Sequence, residues 1–101
     1  MPEHQVFHVY ILRCADDTLY VGSTDNLQQR LEAHNRGTAT RYTACRRPVR
    51  LLYSEPHRSQ SSAVRRERQL KRWTRAKKEA LTGGHTRDLR ALSRSREGQP
   101  R

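Results

Sequence analysis

Apolar positions along this chain come in short groups whose spacing changes from two residues to about four. Val6 to Cys14 alternates and is rich in β-formers, which predicts a first strand, and Leu19 to Ser23 predicts a second. Only the turn-like stretch Ala15-Asp16-Asp17-Thr18 separates them, so the two form a hairpin. Leu27 and Leu31 then recur one helical turn apart, predicting a helix to about Arg36. Thr24 or Asp25 is its expected N-cap, Asp25 having Gln28 three residues on, and Gly37 supplies a left-handed stop. The small polar run Thr38 to Thr43 reads as a loop. Val49 to Ser54 is a third strand entered at Pro48, and Glu55-Pro56-His57-Arg58 is expected to break it. A second helix starts within Ser59 to Ser62 and runs to Lys71 or Arg72, with Ala63, Glu67 and Leu70 near one face. Thr74 caps a short third helix through Leu81, ended by Gly83-Gly84. The implied architecture is α+β, a small three-stranded antiparallel sheet flanked by helices.

Composition limits where the core can lie. Apolar residues make up 33% of the 101, and beyond His85 only Leu89 and Leu92 are large and apolar. One domain over residues 1–84 is therefore expected, followed by a basic, disordered tail over 85–101. Charge is just as uneven. Residues 1–60 hold 8 basic against 6 acidic side chains, whereas 61–101 hold 13 against 4. A net charge of +11, rich in arginine, predicts a phosphate-bearing partner, because arginine's planar fork matches phosphate oxygens. An anionic membrane fits less well, since no helix sets a continuous apolar face opposite its basic one. Cys14 and Cys45 are too few and too far apart for a metal site. No secretory or membrane-spanning run accompanies them, so free thiols in the cytoplasm are expected.

The hairpin raises a geometric question about Tyr10 and Tyr20. A two-residue loop would point them to opposite faces. A three-residue loop, Ala15-Asp16-Asp17, sets Tyr20 across from Leu12 and Tyr10 across from Gly22, so that both phenols share one face. Asp17 then takes the left-handed position, which aspartate tolerates. Gly22, opposite Tyr10, leaves room beside that phenol for a ligand. Arg30 and His34, four residues apart, share one face of the following helix.

Taken singly, each of these residues has a plainer role. Hairpin tyrosines cover sheet faces. Arg30 can be a solvated charge, His34 a favourable charge near a helix end, and Glu67 an i,i+4 partner for Lys71. Their joint order carries more information. Tyr10, Tyr20, Arg30, His34 and a later helical Glu67 resemble the GIY-YIG nuclease family, with His8-Val9-Tyr10 for the first triplet and Tyr20-Val21-Gly22 for the second. The resemblance spans about residues 6 to 81 and is greatest to the stand-alone, single-domain bacterial members called YhbQ-like. Val9 to Cys14, Arg46 to Leu51 and Arg65-Arg66-Glu67 carry it, and the first triplet departs from the family in having His8 for glycine.

The resemblance implies a divalent-metal-dependent endonuclease acting on DNA, in repair or recombination. It assigns catalysis to Tyr10, Tyr20, Arg30, His34 and Glu67. Glu67 would hold Mg2+ or Mn2+, a cation that needs few protein ligands because it keeps its waters. A phenol ionises near 10 in water, so Tyr20 as base requires a nearby cation. Arg30 supplies one and also meets charge developing on phosphate, Tyr10 positions water or phosphate, and His34 holds an oxygen or shares the proton relay. Gly22, Tyr42, Arg65, Arg66 and Lys71 are the expected substrate contacts, mainly to the DNA backbone. The alternative is a binding module for DNA or structured RNA that has the fold without the turnover.

Overall fold

The computed structural model describes residues 6–83. The disordered tail expected over 85–101 lies outside the described residues. Strands β1 (Phe7–Arg13) and β2 (Leu19–Thr24) are followed by helices α1 (Leu27–Arg36) and α2 (Arg41–Ala44), strand β3 (Arg50–His57), and helices α3 (Gln60–Lys71) and α4 (Arg75–Thr82). The sheet is antiparallel in the order β2-β1-β3, so β1 is central.

The hairpin has the three-residue loop. Tyr10 pairs with Gly22 and Leu12 with Tyr20. Asp17 adopts a φ of 72°, and its N–H donates to the Cys14 carbonyl at 2.9 Å. Alternation then separates two cores. Val9, Ile11 and Val21 face one way and pack with Ala63 and Leu70 of α3. Tyr10, Leu12 and Cys14 face the other way and meet Leu27 and Leu31 of α1.

Three local expectations fail, each for a physical reason. The N-cap of α1 is Asn26, whose side chain accepts from the Gln29 N–H at 3.0 Å. Thr24 instead receives the Asn26 N–H on its hydroxyl at 3.1 Å, which settles the turn one residue later than Asp25 would. The stretch read as a loop holds the single-turn helix α2, capped by the Thr40 side chain. Strand β3 continues through Glu55, Pro56 and His57, with Pro56 opposite His8. Proline fits because β3 is an edge strand and Pro56 is exposed.

The extended end of β3 fastens α3. Glu55 accepts from Tyr53 at 2.6 Å, from His57 at 2.7 Å and from the Arg66 guanidinium at 2.9 Å, while His57 Nδ1 lies 2.6 Å from the Ser62 hydroxyl. Burial alone would push the Glu55 carboxyl up, but these bonds outweigh it and hold the group below its ordinary range.

Candidate active site

The odd loop brings the two phenols together. Tyr10 and Tyr20 have ring centroids 6.5 Å apart on the α1 side of the sheet. Leu27, Leu31 and His34 form one stripe of α1, which delivers the imidazole edge-on to both rings, 5.7 Å from Tyr10 and 5.3 Å from Tyr20. His34 is fully buried, and burial together with the Arg30 charge lowers its pKa, so the ring is neutral. It is therefore not the charged helix-end residue of the plainer reading.

Neutrality fixes the direction of the hydrogen bonds. Burial, followed by the charge of an ionised Tyr20, raises the Tyr10 pKa strongly, against the opposing pull of Arg30. Tyr10 thus keeps its proton and donates to His34 Nε2 at 2.9 Å. Nδ1 then carries the ring proton and donates to the Thr43 hydroxyl at 2.7 Å. Thr43 is itself fully buried, with its oxygen 2.9 Å from that of Thr40. Tyr10 and His34 have therefore committed their protons to one another and to Thr43. Tyr20, half-buried, has no hydrogen-bond partner for its hydroxyl among the described residues.

This wiring has a pH consequence. His34 stays neutral in the fold, whereas in the unfolded chain it takes a proton near its ordinary value of about 6.5. The unfolded state then binds more protons, so stability falls as pH drops through that value. The expected result is a declining melting temperature below about pH 6.5 that is blunted in His34→Gln, measured by thermal melts across pH. An equal decline in both proteins would show that His34 is not the group responsible.

Glu67 approaches from the opposite face, because α3 covers the other side of the sheet. The Ser23 hydroxyl donates to one carboxylate oxygen at 2.7 Å, and the Lys71 ammonium lies 2.9 Å from the other. Its charge still reaches the Tyr10 phenol and adds to the upward shift. Gly22 lies on β2 next to Ser23. A methyl group there would sit 2.5 Å from the Tyr10 hydroxyl oxygen and 3.1 Å from the Tyr20 ring. The room Gly22 leaves is thus filled by Tyr10 itself, where a ligand was expected.

The expected substrate contacts divide into free and engaged. Tyr42 is exposed on α2, 5.8 Å from the Tyr20 ring, with the Arg46 guanidinium stacked 3.9 Å from its centroid. Arg65 is exposed. Arg66 is held by Glu55 and Gln69 against Trp73, and Lys71 is held by Glu67. Thr43 and Ser23 were missed in the sequence. A threonine in a polar loop and a serine after a glycine give no periodic signal that could have marked them.

Among the described residues, no group of three histidine, cysteine or acidic side chains could hold a metal ion, and no helix is long and apolar enough to cross a membrane. Both cysteines are free, Cys14 buried and Cys45 exposed.

Comparison with known proteins gives a consistent picture. The GIY-YIG catalytic domain family matches residues 6–80. A UPF0213 protein of Natronomonas pharaonis is 44% identical over 79 residues, covering 78% of this chain and 93% of its own. One from Pediococcus pentosaceus is 50% identical over 72 residues, covering 71% and 76%. The NMR structure of a UPF0213 protein from Bacillus halodurans is 37% identical, covers 75% of this chain and 81% of its own, and superposes with a TM-score of 0.49.

Proposed function

Because this chain belongs to the GIY-YIG nuclease family, we propose that it is a divalent-metal-dependent endonuclease that hydrolyses DNA phosphodiester bonds. The observation that carries this reading is the division of protons in the site. Tyr10 and His34 are mutually satisfied, while the Tyr20 hydroxyl beside them has no hydrogen-bond partner among the described residues.

Tyr20, having released its own proton to solvent, takes the proton of the attacking water as the phenolate and returns to the neutral phenol. Arg30, whose charge is felt by both Tyr10 and His34, meets the negative charge that builds on the phosphoryl oxygens. The chain Tyr10, His34, Thr43 is buried and fixed, which keeps the floor of the site in place during attack. Glu67 fits a hard cation. It is a lone oxygen donor already facing the positive charge of Lys71, which suits Mg2+ or Mn2+ and not zinc. When bound, such an ion supplies charge neutralisation at the phosphate and the leaving oxygen. Lys71 must give way to it, and being more than half exposed, its ammonium can swing into solvent.

DNA is gripped through its backbone. Arg65, Arg68 and Arg72 lie along one exposed stripe of α3 and its end, and none has an acidic partner among the described residues. Binding should therefore be insensitive to base sequence and strongly sensitive to salt, with log affinity falling by about 0.9 per phosphate neutralised for each tenfold rise in salt. The test is a salt titration of binding to unrelated duplexes beside a cleavage assay with Mg2+, Mn2+ or EDTA. Steep salt dependence with metal-dependent cutting is expected. Shallow salt dependence with one strongly preferred sequence would reject backbone-dominated recognition.

A further inference from the structure

A polar groove of about 360 Å3 runs along α1 beside the site. Arg30, Ala33 and Arg36 recur at i, i+3 and i+6 and form one wall, with Gln29 next to them. The left-handed turn at Gly37, with a φ of 84°, folds Thr38 and Ala39 back along the helix as the other wall. We propose that this groove holds a backbone phosphate neighbouring the one that is cut, anchored by Arg36. This rests on the nuclease reading of the adjacent site.

Three observations point to an anion. First, Arg30 and Arg36 both line this one groove, and neither has an ion-pair partner among the described residues. Two guanidinium groups lining one groove offer planar donor sets that match phosphate oxygens. Second, small Ala33 between them leaves the wall open where arginine side chains would converge on a ligand. Third, the groove adjoins the reaction centre through Arg30, which lines it and whose charge also bears on Tyr10 and His34. Arg30 and Arg36 are about 9 Å apart along the helix axis. That separation lets the two arginines meet separate, neighbouring phosphates of one strand. The strand must therefore continue past the cut along α1, and a strand that ends at the cut on that side is a poor substrate.

The test uses the full chain without metal, so that binding is read apart from cleavage. An isotope-labelled sample is titrated with a short oligonucleotide, and its affinity is measured for the parent and for Arg36→Gln, an exposed substitution that spares the fold. Single neutral methylphosphonates are then placed at each position flanking the cut. The amides of Gln29, Arg36 and Thr38 are expected to shift on saturation, and Arg36→Gln should weaken binding roughly fivefold. One methylphosphonate should weaken the parent by a similar factor and leave Arg36→Gln unaffected. Silent groove amides, or methylphosphonate penalties that are the same in both proteins, overturn the proposal. Shifts in the groove without cleavage under any metal would support the phosphate site and reject the nuclease reading. Cleavage with a silent groove would do the reverse.

Discussion

Gly22→Ala is expected to cost about 1–3 kcal/mol of stability and to cut turnover by about a hundredfold or more. The added carbon would sit 2.5 Å from the Tyr10 hydroxyl oxygen and 2.7 Å from the ring carbon that bears it. Tyr10 is only 1% exposed and lies on the central strand, so it has no free space into which to withdraw. Either β2 moves outward, breaking the pairing of Tyr10 with Gly22, or the phenol leaves His34 Nε2. Both outcomes displace the wall of the site against which Tyr20 packs. Chemical denaturation and single-turnover cleavage measure the two effects. A Gly22→Ala protein as stable and as active as the parent would show that the close approach of phenol and strand is not maintained in solution.

Tyr20→Phe should lower the single-turnover rate by about 10² to 10⁴ while leaving binding and melting temperature close to those of the parent. The substitution preserves the ring contacts with Tyr10, His34 and Tyr42 and removes only a hydroxyl that has no partner among the described residues. Tyr10→Phe provides the contrast. Its hydroxyl is the buried donor to His34, so its loss leaves an imidazole nitrogen unsatisfied and costs about 1–3 kcal/mol. One tyrosine should thus be visible mainly in rates and the other in stability as well. If Tyr20→Phe melts early and Tyr10→Phe does not, the roles of the two tyrosines are reversed.

The sequence was most legible where one local choice decided many contacts. Loop parity decided which faces Tyr10 and Tyr20 take, and Asp17 in the left-handed region agrees with it. Gly37 ended α1 as its turn chemistry said it would, and α3 opened within the stretch Ser59 to Ser62, with Ser59 as its cap. Legibility failed where neighbours compete or where contacts are long-range. Asn26 and Asp25 are equally good caps, and the hydroxyl of Thr24 chose between them. Helix α2 is one turn long, too short for periodicity, yet it carries the Thr43 that fixes the tautomer of His34. The commitment of Arg66 to Glu55 depends on β3 running through a proline, which reads locally as a break. The approach of Glu67 from the far face, held by Ser23, required knowledge of how α3 crosses the sheet.

The most direct measurement compares parent and Glu67→Gln in single-turnover cleavage of DNA with Mg2+, at protein concentrations that saturate binding for both. Glutamine keeps the shape of the side chain and can still accept from Ser23, but it lacks the charge that would hold a cation. The parent is predicted to cut with Mg2+ or Mn2+ and not with EDTA, while Glu67→Gln binds DNA as well as the parent and does not cut. A Glu67→Gln protein that cuts at the parental rate, or a folded parent that binds DNA yet cuts with no divalent ion, would contradict a metal-dependent hydrolysis centred on this site.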